Sequence, residues 1–350
     1  MVKHQNVAGI QRESVKDTAT SMVLPPPLPS EFPVDYAPLS DEPTFDAALH
    51  LAPELPRKTW MLAELGYGDD EIAALPSAIG ITAPFRLLSE AGVRAMRDVA
   101  LALASQSRTS DRTANYVTGA VYRSRFFRDF CNAPEIAEFM SHLAGCRLAA
   151  HSMPSQQTYI NYAPKEVGKA VDTWHTDGIG FDYVLLLTDP RSFEGGKFQF
   201  FRGTRDEAAE ILNLPTSHLT EAIAADLPPD RVETVEMPAA GYAVFQQGSH
   251  IVHRATGMHR AAERITVVPG LVACDTSYAD TNRVGTIAHW NEPGLATELV
   301  RHTAWLTNGR LDALVRELPI EASPKAVAAA LRRAVADANE LADILDPPAG

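Results

Sequence analysis

The sequence predicts an α+β fold in which a mainly β core is flanked by helical regions. Short runs rich in β-branched and aromatic residues, each bounded by Gly, Pro or Asp, recur across residues 147–291. Apolar residues at helical spacing dominate residues 41–146. A third segment, Ala326 to Leu345, is rich in Ala and has few helix breakers. This order of elements indicates helices, then a β-sandwich or barrel, then helices.

Composition and charge exclude several classes of protein. The chain has 350 residues and a formal net charge of -13, which argues against a nucleic-acid partner because the phosphate backbone requires a basic face. No apolar run approaches the ~18 residues of a membrane span, and the first residues lack the apolar segment of a signal peptide. The three cysteines are widely spaced and suggest reduced thiols. We therefore expect a cytoplasmic protein with neither a nucleic-acid partner nor a membrane partner.

The two ends of the chain differ in character. Residues 1–40 contain Pro25-Pro26-Pro27-Leu28-Pro29, which favours extended polyproline II and predicts either a loose tail or an arm that wraps the domain or a partner subunit. Residues 292–350 are predicted to be helical. These helices could pack on the sheet or form the interface of a homodimer.

The predicted β core covers residues 147–291 and is interrupted once. Residues 204–236 begin with a run typical of a helix, Arg205 to Leu212, and end near Pro228-Pro229. We interpret them as a helical insertion between two core strands. The predicted strands are Tyr159–Tyr162, Tyr183–Leu187, Phe198–Phe201, Tyr242–Phe245 and Ile265–Val268.

A candidate metal site centres on Trp174-His175-Thr176-Asp177-Gly178. Side chains repeat every two residues along an extended strand, so His175 and Asp177 would point to the same face. An imidazole nitrogen and a carboxylate oxygen are both ligands of first-row divalent metals. Taken alone, His-x-Asp occurs by chance in many proteins, and two ligands make a weak site.

The third ligand is predicted within Gly248–Arg254. His250 and His253 are three residues apart and would face opposite sides of a strand, so only one can reach the metal. We choose His253, with His250 as the second choice and His259 as the third. Two histidines and one carboxylate on one side of a metal are typical of Fe(II) sites with open positions. A closed zinc site would need four ligands, usually with cysteines, and none is near in sequence.

These residues together resemble the Fe(II)- and 2-oxoglutarate-dependent dioxygenases. His175-x-Asp177 with His253 resembles their facial triad, and Arg264-Ile265-Thr266 resembles the Arg-x-Ser/Thr that binds the distal carboxylate of 2-oxoglutarate. Asn161-Tyr162-Ala163-Pro164 is similar to a strand of the prolyl-hydroxylase branch, in which the tyrosine helps to hold that carboxylate. The helical N-terminal half is more similar to the phytanoyl-CoA hydroxylase branch.

The resemblance implies a double-stranded β-helix, or jelly roll, that uses Fe(II), 2-oxoglutarate and O2. Catalysis and metal binding would then fall to His175, Asp177 and His253, and cosubstrate binding to Arg264, Thr266 and Tyr162. The expected reaction hydroxylates a substrate C–H bond and releases succinate and CO2. The halogenases of this family lack the carboxylate, which is present here as Asp177. Desaturation, cyclisation and epimerisation use the same ligands and remain open.

Substrate contacts are predicted less directly. Trp174, Gln157 and Arg202, together with Asp172 and Gln156, lie near the motif strands and could line the substrate cavity. A basic cluster of Arg123, Arg125 and Arg128 could meet an anionic substrate or form a solvated helix face. Two other functions stay open: a cupin-type metal enzyme that does not use 2-oxoglutarate, and an inactive binding protein.

Overall fold

A computed structural model describes residues 22–33, 36–110, 113, 115–216 and 226–347. Its strands are β1 Thr59–Met61, β2 Ile79–Thr82, β3 Phe85–Arg86, β4 Tyr116–Thr118, β5 Leu148–Ala150, β6 Tyr159–Tyr162, β7 Ala170–His175, β8 Phe181–Leu186, β9 Phe198–Phe201, β10 Val232–Val235, β11 Tyr242–Gln246, β12 His253–Gly257, β13 Ile265–Val268 and β14 Gly270–Ala273. Its α-helices are α1 Ala47–His50, α2 Asp69–Ala73, α3 Glu90–Leu103, α4 Ala120–Arg123, α5 Arg125–Cys131, α6 Pro134–Ala144, α7 Arg205–Leu212, α8 Val284–Ile287, α9 Leu295–Glu317, α10 Pro324–Ala334 and α11 Ala336–Leu345.

The strands form two antiparallel sheets. The larger has the order β1-β2-β11-β8-β13-β6-β4, with β14 pairing with β8 and β5, and β3 pairing with β11. The smaller has the order β10-β9-β12-β7. Every strand pair is antiparallel. The predicted combination of helices with a β core is therefore confirmed as a mixed helical and antiparallel-sheet fold.

Strand β8 lies at the centre of this arrangement and is buried on both faces. Its odd-numbered residues, including Phe181 and Tyr183, join the core beneath the helices, where Met96 and Phe130 also lie. Val184 on the opposite face packs in the core between the two sheets. Burial of a phenylalanine side chain such as that of Phe181 stabilises the fold by about 1.5–3 kcal/mol. The sheets are thus held together by apolar packing.

The structure places strands in two regions that the sequence predicts to be helical. Strands β1 to β4 lie within residues 41–146, and β10 lies within residues 204–236. These strands are short and gain their stability from partners far along the chain, as when β10 pairs with β9. Tertiary pairing therefore overrides the local pattern. Within 204–236, α7 is helical and begins at a capping box between Thr204 and Glu207, and residues 217–225 lie outside the described part.

The described part of the N-terminal region runs extended along the folded chain. The Val23 N–H donates to the Cys274 carbonyl at 2.9 Å, and Arg301 donates to the Pro27 carbonyl at 2.8 Å. Residues 1–21, 34 and 35 of the predicted arm or tail lie outside the described residues. At the C-terminal end the helices α9, α10 and α11 follow one another along the chain. Among the described helices, none is both long enough and apolar enough to span a membrane.

A buried polar network joins α9 to the sheets. His302 in α9 bonds Asp280 through Nε2 at 2.8 Å and Ser152 through Nδ1 at 2.5 Å. His151 lies beside it with no exposed surface, and its Nε2 is 3.0 Å from the Asn282 Oδ1. Burial, and secondly the neighbouring His302, lowers the pKa of His151 from 6.5 to about 3. His151 is therefore neutral in the folded protein.

The low pKa of His151 predicts a loss of stability in mild acid. Below pH 6.5, His151 binds a proton in the unfolded chain but stays neutral in the folded chain. The free energy of unfolding therefore falls as pH falls. Between pH 7 and pH 5 this one group contributes a loss of about 2 kcal/mol. Between pH 7 and pH 5 we expect the free energy of unfolding of His151→Gln to fall by about 2 kcal/mol less than that of the wild-type protein. Urea unfolding of both proteins at both pH values measures this difference. An unchanged difference between the two pH values would contradict the prediction.

Candidate metal centre

Pairing between β7 and β12 brings two histidines side by side. His175 and His253 are direct partners in the register of these strands, and their ring centroids are 4.2 Å apart. A β-bulge in β7 adds one residue between Asp172 and His175, so that both of these side chains line the same cavity. The two imidazoles are thus placed by the hydrogen-bond ladder of the smaller sheet.

Asp177 completes a cluster of three potential metal ligands. Its Oδ1 lies 3.4 Å from the His175 Nε2, and its Oδ2 lies 3.3 Å from the His253 Nε2. One ligand atom from each of the three residues lies within 4.8 Å of the others. A single cation could contact all three at ordinary metal–ligand distances. The structure therefore brings together the pair and the distant histidine that the sequence singles out.

Hydrogen bonds orient both imidazoles with Nε2 towards Asp177. The Nδ1–H of His175 donates to the Thr173 carbonyl at 2.6 Å, and that of His253 donates to the Ile251 carbonyl at 2.9 Å. A proton held on Nδ1 leaves the Nε2 lone pair available to a metal. Burial, and secondly the neighbouring His175, lowers the pKa of His253 to about 4. This ring is therefore neutral near pH 7, as a metal ligand must be.

Gln246 and Asp182 contact the cluster from the larger sheet. The Gln246 Nε2 is 3.2 Å from the Asp177 Oδ2 and 2.9 Å from the Asp182 Oδ1. Burial raises the pKa of Asp182, and the Asp177 carboxylate raises it further. A Cβ on Gly248 would lie 2.1 Å from the Asp182 Oδ2 and 2.7 Å from the Asp177 Oδ2, so only glycine fits there. Sequence reasoning missed Gln246 and Asp182, since nothing local links them to Asp177.

The cluster lies in a cavity of about 780 Å³ that also contains Arg264 and Thr266. Arg264 is 4% exposed, and its guanidinium donates to the Gly196 carbonyl at 2.8 Å and to the Thr266 hydroxyl at 3.4 Å. Within the described part of the chain no carboxylate lies within 4.0 Å of this guanidinium, but the Asp172 carboxylate in the same cavity is near enough to favour its charged form. Burial lowers the pKa of Arg264 to about 10, which still leaves it charged near pH 7. The cavity thus holds a buried cation that can receive an anionic ligand.

Tyr162 does not reach this cavity. Side chains alternate along β6, so Tyr162 points into the core and donates its hydroxyl to the Ala100 carbonyl at 2.6 Å. Its neighbour Asn161 faces the cavity instead, opposite Thr266 across the β6–β13 pair. The Asn161 Oδ1 is buried without a hydrogen-bond partner among the described residues. The sequence-predicted position was therefore one residue away from the side chain that lines the site.

The three predicted substrate residues also lie away from the cavity. Trp174 is next to His175 on the opposite face, where its Nε1 donates to the Asp226 Oδ1 at 2.8 Å. Gln157 donates to the His151 carbonyl at 2.7 Å, and Arg202 contacts the Asp230 carbonyl at the surface. Asp172 and Gln156 do line the cavity. The basic cluster and the other two histidines are elsewhere: Arg123, Arg125, Arg128, His250 and His259 do not line it.

The outer wall of the cavity consists of residues that sequence reasoning missed. Tyr116 and Tyr159 stack with ring centroids 5.0 Å apart, and Trp290 packs against Gly178. Arg108 closes the same edge through its contacts with Glu292 and with the Asn291 carbonyl at 3.2 Å. These residues come from the segment before β4, from β4 and β6, and from the loop before α9, which no local sequence pattern connects.

Comparison with known proteins gives similarity to solved structures alone. No family model and no curated protein matches the chain. The crystal structure of SnoN, a non-heme alpha ketoglutarate dependent epimerase from nogalamycin biosynthesis, is 19% identical; the match covers 53% of this chain and 75% of that chain, with a TM-score of 0.40. Prolyl 4-hydroxylases from Phytophthora capsici match at 12% identity over 84% of this chain and 96% of that chain, with a TM-score of 0.39. HygX from Streptomyces hygroscopicus, with nickel and 2-oxoglutarate bound, matches at 12% identity; the match covers 59% of this chain and 88% of that chain, with a TM-score of 0.39.

Proposed function

We propose that the chain is an Fe(II)- and 2-oxoglutarate-dependent oxygenase, built on a double-stranded β-helix, that oxidises a C–H bond of a small molecule. The observation that carries the proposal is the presence of two elements in one cavity. One is the cluster of His175, Asp177 and His253, and the other is the buried guanidinium of Arg264. Neither element alone distinguishes this reaction from other metal chemistry.

The ligand cluster fits a divalent iron. It offers two neutral nitrogen donors and one carboxylate, and all three come from two adjacent chain segments on one side of the cavity. Such a set leaves coordination positions open to exogenous ligands, which a closed structural site does not. None of the three cysteines belongs to the cluster. The residues present therefore suit a catalytic metal with nitrogen and oxygen ligands.

A second part of the same cavity fits a dicarboxylate. Arg264 provides a planar, two-pronged donor for a carboxylate, and Thr266 provides a hydroxyl beside it. Asn161 replaces Tyr162 in this role, because its amide faces the cavity opposite Thr266. When bound, Fe(II) and 2-oxoglutarate would activate O2 for oxidation of the substrate, and 2-oxoglutarate would be converted to succinate and CO2.

The chain itself would orient the reactants and exclude water. His175 and His253 keep their Nε2 atoms free through Nδ1–H bonds to backbone carbonyls. A cavity of about 780 Å³ falls in the range of small-molecule sites, and the ring of Tyr159 and the indole of Trp290 form part of its wall. The presence of Asp177 favours hydroxylation over halogenation. Desaturation, cyclisation and epimerisation are alternative outcomes at the same site.

The two rival functions are less well supported by the site. A cupin-type metal enzyme that does not use 2-oxoglutarate has no need for the buried cation at Arg264, and an inactive binding protein has no need for a complete ligand cluster. Homodimerisation stays a prediction from the sequence.

The proposed function is tested by the fate of 2-oxoglutarate. We expect the protein, loaded with Fe(II) and supplied with ascorbate and oxygen, to convert 2-oxoglutarate to succinate slowly even without a substrate. Succinate is measured by mass spectrometry, with a Zn(II)-loaded sample as the control. An Fe(II)-loaded protein that forms no succinate with any of a broad panel of small molecules would contradict the proposal.

A further inference from the structure

One arginine contacts the backbone of the turn that carries Asp177. The guanidinium of Arg283 donates to the Asp177 carbonyl at 3.1 Å and to the Thr176 carbonyl, and the Arg283 backbone N–H donates to the Gly178 carbonyl at 2.7 Å. Three consecutive carbonyl groups, at residues 176, 177 and 178, are thus bound by a single residue. Arg283 lines the cavity but lies outside the ligand cluster.

This contact is anchored to the longest described helix. The Gly180 N–H donates to the Asn282 Oδ1 at 2.9 Å, and Asn282 is itself held by the Asp280 Oδ1 at 2.7 Å. The other oxygen of Asp280 bonds His302 in α9 at 2.8 Å. The connecting segment from Asp280 to Arg283 therefore links α9 to the turn after β7.

Asp177 needs such support more than the two histidines do. His175 and His253 are partners within the smaller sheet, but β7 ends at His175 and Asp177 lies beyond it. Its backbone N–H donates to the Gly248 carbonyl at 2.8 Å, and its carboxylate accepts from the Gln246 Nε2 at 3.2 Å. Rotation of the turn would carry the carboxylate away from the Nε2 atoms, because the direction of a side chain follows its backbone. The carbonyls bound by Arg283 lie on that turn.

We propose that Arg283 is a positioning residue that holds the carboxylate of Asp177 in place for the metal, and so sets metal affinity. The proposal rests on the metal site of the proposed function. Arg283 acts through the backbone and has no direct bond to the metal. Partners that orient metal ligands typically contribute about 10–100-fold to metal affinity.

The test measures Co(II) binding by calorimetry and by the visible absorption of the bound ion. We expect Arg283→Met to raise the Kd for Co(II) by about tenfold or more, and to change the absorption spectrum because the ligand geometry changes. We expect Arg283→Lys to recover part of the affinity, since an ammonium group can reach one of the two carbonyls. Melting temperatures with and without Co(II) separate site effects from general stability.

Arg310→Met is the matched control. Arg310 also donates to backbone carbonyls of this connecting region, those of Thr276 at 3.1 Å and Tyr278 at 3.3 Å, but it lies outside the metal cavity. We expect this variant to lower the melting temperature and to leave the Co(II) Kd within about twofold of the wild-type value.

Each outcome decides the inference. Unchanged Co(II) affinity in Arg283→Met, or an equal loss in both Met variants, overturns it while the metal site stands. A folded wild-type protein that does not bind Co(II) overturns the metal site itself. If Arg283→Met does not fold, Arg283→Lys decides, and wild-type affinity in that variant together with an unchanged spectrum overturns the proposal.

Discussion

Replacing Asp177 with Ala is expected to abolish succinate formation and to weaken binding of Co(II) or Fe(II) by about 100-fold or more. This exceeds the effect of removing a residue that only orients a metal ligand, which is about 10–100-fold. Asp177 is the one anionic member of the cluster, and its two oxygens lie 3.4 Å and 3.3 Å from the two imidazoles. Without it, two neutral nitrogens remain to bind a doubly charged ion. Calorimetry gives the affinity, and mass spectrometry gives succinate.

His250→Gln is the control for this prediction. His250 lies three residues before His253 and is also buried, but it bonds the Ser249 hydroxyl at 3.0 Å and lies outside the cluster. We expect the His250→Gln variant to bind metal as the wild-type protein does. Metal binding by Asp177→Ala at wild-type affinity would show that the cluster is not the metal site.

Replacing Arg264 with Met is expected to raise the concentration of 2-oxoglutarate required for half-maximal succinate formation by about tenfold or more. Removing one partner of a buried charge pair costs about 2–5 kcal/mol, because the other charge is left without compensation. Arg264 is 4% exposed, and the Asp172 carboxylate in the same cavity interacts with it without forming an ion pair within 4.0 Å among the described residues, so the guanidinium can still bind the cosubstrate. The measurement is a titration of 2-oxoglutarate at saturating Fe(II).

Tyr162→Phe separates this role from general damage to the cavity wall. The Tyr162 hydroxyl bonds the Ala100 carbonyl on the opposite face of β6, so its loss should cost about 1 kcal/mol of stability and leave the 2-oxoglutarate requirement unchanged. An unchanged 2-oxoglutarate requirement in Arg264→Met would contradict its role as the anchor. Equal rises in both variants would indicate general damage to the cavity wall and would contradict a role specific to Arg264.

The difference between these two residues shows how far sequence reasoning extends within one strand. Alternation along an extended chain correctly groups Arg264 with Thr266, because both lie on a short segment with one regular conformation. The same rule places Asn161 and Tyr162 on opposite faces, but it does not say which face is the inner one. That choice depends on the pairing of β6 with β13 and on the helices that cover the other face.

The short strands of the N-terminal half illustrate a second limit. Strand β2 pairs on one side with β1, which is near it in the chain, and on the other side with β11, which is more than 150 residues further along the chain. The helical pattern predicted over residues 41–146 matches α3 and α6 and misses β1 to β4, because pairing between segments stabilises these strands. Local patterns also fail to predict the cavity wall, because Tyr116, Tyr159 and Trp290 meet only after the sheets and the loop before α9 have assembled.

The sequence by itself determined the chemistry of the candidate site: the ligand types at His175 and Asp177, the distant imidazole at His253, and the cation at Arg264. Residue type and spacing carry this information because a metal and a dicarboxylate each require particular donor atoms. Only the tertiary structure decided that these groups share one cavity, that Asn161 lines it in place of Tyr162, and that Arg283 holds the turn. Contacts between segments that are far apart along the chain arise from packing, and local spacing contains no record of them.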